Sequence, residues 1–149
     1  MIWLLLGIAV LLGVALPAQV GVNAQLRIGL GHPLVAATVS FAVGTLALLA
    51  VTLVARPGMP STQQLIRLPW WQWTGGVLGA IYIAATIILA PRLGAAALLA
   101  AIVAGQMLAS LVLDHFGLLG FPVVPVSWWR VVGIALIFGG VLLVQVPRS

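Results

Sequence analysis

The polar side chains of this 149-residue chain are few enough to weigh individually. Gln19 and Asn23 stand four apart, a spacing that on a helix stacks both amides on one face. Pro17, just before them, has no backbone N–H and should free the carbonyl of Gly13. A helix broken beside polar side chains is how many transporters build a binding site at mid-membrane depth. A helix only bent by Pro17, with Gln19 bonded to a neighbouring helix, is the other reading. Gln106, Ser110 and Asp114 repeat the four-residue spacing, while Ser40 (with Gly44) and Tyr82 (with Thr86) add hydroxyls elsewhere. Amides and hydroxyls in this pattern can line a modest polar pocket for a small solute, with Tyr82 packing against it, or can join helices to one another.

Asp114 is the single acid in the sequence, so it and His115 form the one place where proton coupling has a carboxylate to use. At a helix end the same pair would be a hydrated polar boundary, with His115 favourably near the negative end of the helix. Paired carboxylates, a nucleophile beside a base, metal-ligand spacing and a phosphate loop are all missing, and there is no cysteine. These absences argue against an enzyme and leave no cofactor to expect.

The elements that must position these residues are membrane spans. Hydrophobic side chains make up 64% of the sequence and charged ones 5%, against about a quarter charged in a soluble domain. Lysine is absent, and the six arginines are spread singly between apolar runs, which makes no patch for nucleic acid. A span needs about 20 apolar residues, and on that scale five runs stand out: 2–22, 34–55, 73–90, 94–113 and 129–146. Their length and lack of two-residue alternation predict helices. Pro91-Arg92-Leu93 predicts a tight turn between antiparallel third and fourth spans, and His32 reads as a loop residue. Phe116–Ser127, broken by glycine and proline, reads as lying in the membrane interface. The first run has no basic residue before it and is long enough to span, so it reads as a mature helix and not a signal peptide. The expected organisation is one transmembrane domain over 1–149.

Orientation follows the distribution of Lys and Arg between loops. Arg56, Arg67 and Arg130 fall on the N-terminal side, and Arg27, Arg92 and Arg148 on the other, three against three. A chain without bias has no charge-based reason to insert one way only. Trp3, Trp70, Trp71, Trp73, Trp128 and Trp129 all stand at the starts of the first, third and fifth spans, hence at one interface. Two copies packed head to tail would furnish both interfaces. Ala97, Ala101, Gly105 and Ala109 form a small-residue ridge of the kind that lets helices approach closely.

The run from Gly13 through Pro17, Gln19 and Asn23, then Ser40-Phe41-Ala42-Val43-Gly44, resembles the start of YdcZ-like five-helix proteins. So does Ala90-Pro91-Arg92-Leu93-Gly94, followed by Gly105-Gln106 and Ser110 through Asp114-His115-Phe116-Gly117. That family lies in the drug/metabolite transporter superfamily, and the likeness covers nearly the whole chain. A local likeness joins Gly133, Ile137 and Gly140 to a motif on the dimerising last helix of small multidrug resistance transporters, which implies that these three residues are the dimer contact. Those relatives exchange protons for cationic drugs through a glutamate in their first helix. This chain has Gln19 and Asn23 there, which suit neutral or zwitterionic substrates, or anions with help from an arginine such as Arg27.

The resulting expectation is an all-α integral membrane protein of five spans, forming an antiparallel homodimer in a bacterial inner membrane. Such an assembly would export small organic metabolites or drugs by alternating access, through Gln19, Asn23, Ser40, Tyr82, Gln106 and Ser110. A passive channel, a lipid-headgroup flippase and a non-transporting assembly subunit are the rival readings.

Overall fold

A computed structural model describes residues 2–145. In lipid every backbone polar group must find its partner within the chain, and among the described residues helices do so without any strand. Helix α1 (Ile2–Leu30) ends at Gly31, whose φ of 75° lets its N–H reach the Arg27 carbonyl at 2.9 Å. His32 then caps α2 (Pro33–Ala55), its Nδ1 accepting from the Leu34 N–H, with Pro33 in the first turn where its missing donor costs nothing. A six-residue helix α3 (Thr62–Arg67) starts with reciprocal Ser61–Gln64 capping. A 3-10 turn over Trp70–Trp73 leads into α4 (Thr74–Leu93). Gly94 alone, at φ 76°, separates α4 from α5 (Ala95–Phe116). After a 3-10 turn at Leu118–Gly120 and an extended stretch over 121–127, α6 (Trp128–Gln145) closes the described chain.

Among the described residues, five helices are therefore long and apolar enough to cross a membrane. Their bounds differ from the apolar runs in instructive ways. The first run ends at Val22, but α1 continues through Asn23 and Arg27, because polar residues do not break a helix and no breaker arrives before Gly31. Pro17 sits inside α1 without interrupting it, so the broken-helix alternative is not what forms. Pro91-Arg92-Leu93, expected as a turn, is the last turn of α4; the helix break falls on Gly94, which alone there tolerates a positive φ. Helix α5 likewise runs past Leu113 to take in Asp114 and His115. Val146, the expected end of the last span, and Arg148 lie outside the described residues.

The chain divides into two compact units, Met1–Pro91 and Arg92–Ser149. In the first, Ala36 and Ala37 of α2 meet Ile83 and Ile87 of α4, with Leu26 of α1 and Tyr82 packed alongside. Gly79 lets α4 approach the Phe41 ring; an added Cβ there would lie 3.4 Å from it. In the second unit α5 packs along α6 and against the turn that follows it. At most 22% of the apolar window of any span is buried within the chain, and for α6 the share is 0%. The helices therefore present most of their apolar surface outward, as lipid or another protein surface requires.

Candidate functional site

Three helices of the first unit enclose an open cleft of about 390 Å³. Gln19 comes from α1, Ser40, Gly44 and Thr45 from α2, and Gly76 and Ile83 from α4. Gly44 and Gly76 face open space, since a Cβ on either would meet nothing within 4 Å. The polar lining is one amide and two hydroxyls, all neutral. Ile83 lines the cleft and also belongs to the buried cluster with Ala36, Ala37 and Ile87.

One turn beyond Gln19, Asn23 is 3% exposed and its Nδ2 has no hydrogen-bond partner. Thr86, equally buried, is satisfied: its hydroxyl donates to the Ile83 carbonyl at 2.8 Å. Arg27, four residues after Asn23, donates from Nη1 to the Ile87 carbonyl at 3.4 Å. The reason is local. In a helix that carbonyl accepts from the residue four positions on, and here that residue is Pro91, which has no N–H. A guanidinium from α1 supplies the donor that α4 lacks.

The second unit holds a different arrangement. Arg130, in the first turn of α6, pairs with the Asp114 carboxylate near the end of α5 and also donates to the Val124 carbonyl at 3.1 Å. The Val124 N–H donates to the Asp114 carbonyl at 2.8 Å, and the Val126 N–H to Nδ1 of His115 at 3.2 Å. Asp114 and His115 thus fasten the 121–127 stretch to the end of α5. Gly117 is obligatory in this turn: its φ is 61°, and a Cβ would stand 2.7 Å from Val123. Ser110 lines a separate groove of about 270 Å³ with Met107, Arg130, Gly133 and Ile137. Gln106 lies on the exposed surface of α5, and Gly140 on α6 is half-buried.

Of the residues expected to bind substrate, the structure joins Gln19 with Ser40 in one cleft. Asn23 is buried apart from that lining, and Tyr82 packs on the apolar cluster. Ser110 shares its groove with Gly133 and Ile137, two of the residues expected at a dimer contact. Thr45 was missed, although its hydroxyl lies close in sequence to Ser40 and Gly44. Arg130 had figured only as an orienting charge; nothing in the sequence selects it from six arginines as the partner of Asp114.

A family model described as "Putative inner membrane exporter, YdcZ" matches residues 4–143. The chain belongs to the YdcZ family. The match reaches all five spans, and with them the YdcZ description places this chain in the inner membrane as a multi-pass protein. YdcZ is described as a family of membrane exporters and not of enzymes. No curated protein and no solved structure matches the chain.

Proposed function

We propose that this chain exports small organic metabolites by alternating access, working as a dimer of two antiparallel copies. The observation that carries the reading is the cleft of the first unit, lined by Gln19, Ser40, Thr45 and Ile83. Neutral donors and acceptors at a hydrophobic depth hold a polar solute without fixing a charge. Ile83 joins the cleft to a packed apolar cluster, the kind of contact that must part for a solute to pass. Asn23 and Tyr82 in the first unit, and Gln106 and Ser110 in the second, are further proposed solute contacts. Asp114, engaged by Arg130, serves as a clamp for the connector. The even split of arginines and the exposed apolar side chains of α6, among them Leu136, Leu142 and Leu143, support the antiparallel pair, with Gly133, Ile137 and Gly140 its proposed contact.

The test is solute uptake into proteoliposomes, screened over neutral, zwitterionic, anionic and cationic metabolites. Gln19→Leu and Ser40→Ala should insert and fold normally while lowering saturable uptake about tenfold, the loss of one hydrogen bond worth about 1.4 kcal/mol. Unchanged uptake in both variants would remove the cleft from the pathway.

A further inference from the structure

We infer that Asn23 and Arg27 form a subsite for a carboxylate, so that the solutes taken by the cleft carry a carboxylate group; the inference rests on the transport reading above. Asn23 is 97% buried (3% exposed), yet its amide N–H groups reach no acceptor. A buried donor without an acceptor is costly, and a ligand acceptor relieves it. Arg27 lies four residues on, hence on the same face of α1. It presents five N–H donors, and its one bond to the described residues is the long contact with the neutral Ile87 carbonyl. A carboxylate makes charge-assisted bonds to guanidinium about twice as strong as neutral ones, and Arg27 keeps N–H donors free for one while it serves Ile87.

The surroundings favour an anion as well. The first unit contains no acid, and Asp114, the only carboxylate in the sequence, is held by Arg130 in the second unit. The start of α2, the partly positive end of a 23-residue helix, contributes Ala36 and Ala37 to the same buried cluster as Ile87. Leu26, between Asn23 and Arg27 in sequence, packs on that cluster, and Ile83 belongs to both the cluster and the cleft. A solute with its carboxylate on Asn23 and Arg27 would set its remaining polar groups toward Gln19, one turn away.

The experiment is thermal unfolding of the purified full-length protein in a neutral maltoside detergent, titrated with L-lactate, with its uncharged isostere lactamide, or with phosphatidylglycerol. The expected result is a saturable rise in Tm with lactate and none with lactamide. Arg27→Gln, which keeps a donor for Ile87, should weaken the lactate response about tenfold or more, as loss of a charge-assisted bond requires. Asn23→Leu should raise the Tm of the ligand-free protein while abolishing the lactate response, an outcome that loss of packing alone would not give. Equal responses to lactate and lactamide, a full response in Arg27→Gln, or stabilisation by phosphatidylglycerol alone would overturn the subsite. Uptake of neutral solutes without any carboxylate preference would leave the transport reading standing and sink this one. A carboxylate-dependent Tm with no solute flux would do the reverse.

Discussion

Arg27 and Pro91 are coupled although sixty-four positions separate them in sequence. Pro91 withdraws the N–H that the Ile87 carbonyl expects, and Arg27 supplies another from a different helix. A carbonyl left bare in lipid is expensive, so the value of Arg27 depends on what stands at position 91. Pro91→Ala would restore the helical donor. In the native background Arg27→Ala should destabilise by about 1.5–3 kcal/mol, the range for a hydrogen bond to a charged group. In the Pro91→Ala background the same change should cost about 1 kcal/mol less, because the carbonyl is then already served. Equilibrium unfolding of the four proteins in bilayers measures the difference. A zero coupling energy would mean that Arg27 touches Ile87 without supporting it.

Elements show which parts of this structure can be read in advance. The five spans are legible because lipid demands long apolar runs, and hydropathy records that demand directly. Their ends are less legible, since hydropathy reports the solvent of a side chain and says little about backbone bonding. Asn23 and Arg27 look like a loop by polarity yet continue α1 to the first true breaker, Gly31. Helix α3 did have a signal, Ser61 with Gln64 three residues on, and so did the 3-10 turn in its clustered tryptophans, but neither is apolar enough to stand out as a span. Half of the cleft was visible as Gln19 and Ser40; the clamp at Asp114 was not, because a long-range ion pair leaves no local pattern. That clamp is a property of the connector between α5 and α6. Asp114 and Arg130 remain 23% and 33% exposed, so their pairing should contribute about 1 kcal/mol or less to global stability. Its local effect should be larger. Asp114→Leu should speed amide hydrogen exchange across 121–127 several-fold while leaving the middle of α5 unchanged. The exchanged-partner variant, Asp114→Arg with Arg130→Asp, should recover most of the protection. Protection unchanged in the single variant would show that His115 and the backbone bonds suffice.

For the whole molecule, the decisive property is which way the chain crosses the bilayer, and the structure sharpens the charge count that governs it. Counted in full, the arginines stand three against three. Arg27 proves to lie within α1, tied to a carbonyl, and Arg130 within α6, tied to Asp114. Setting these two aside removes one from each side and leaves Arg56 and Arg67 against Arg92 and Arg148, so the balance survives either way of counting. Only Lys and Arg near the span ends steer insertion, and their even split predicts no preferred orientation. A reporter fused to the C-terminus should therefore register both compartments in the same population of cells. Because the margin is nil, one added charge should decide the outcome. Met59→Lys, in the exposed connector before α3, should hold the N-terminal side in the cytoplasm and move the reporter outward. Ser149→Lys, on the opposite side, should move it inward, and the two changes together should restore the mixture. If two antiparallel copies are the transporting unit, each single variant should also lose uptake when expressed alone, and co-expression of the two should bring it back. A reporter confined to one compartment in the native chain, and unmoved by either lysine, would mean that the balance of arginines has no consequence for insertion and that the copies pair, if at all, in parallel.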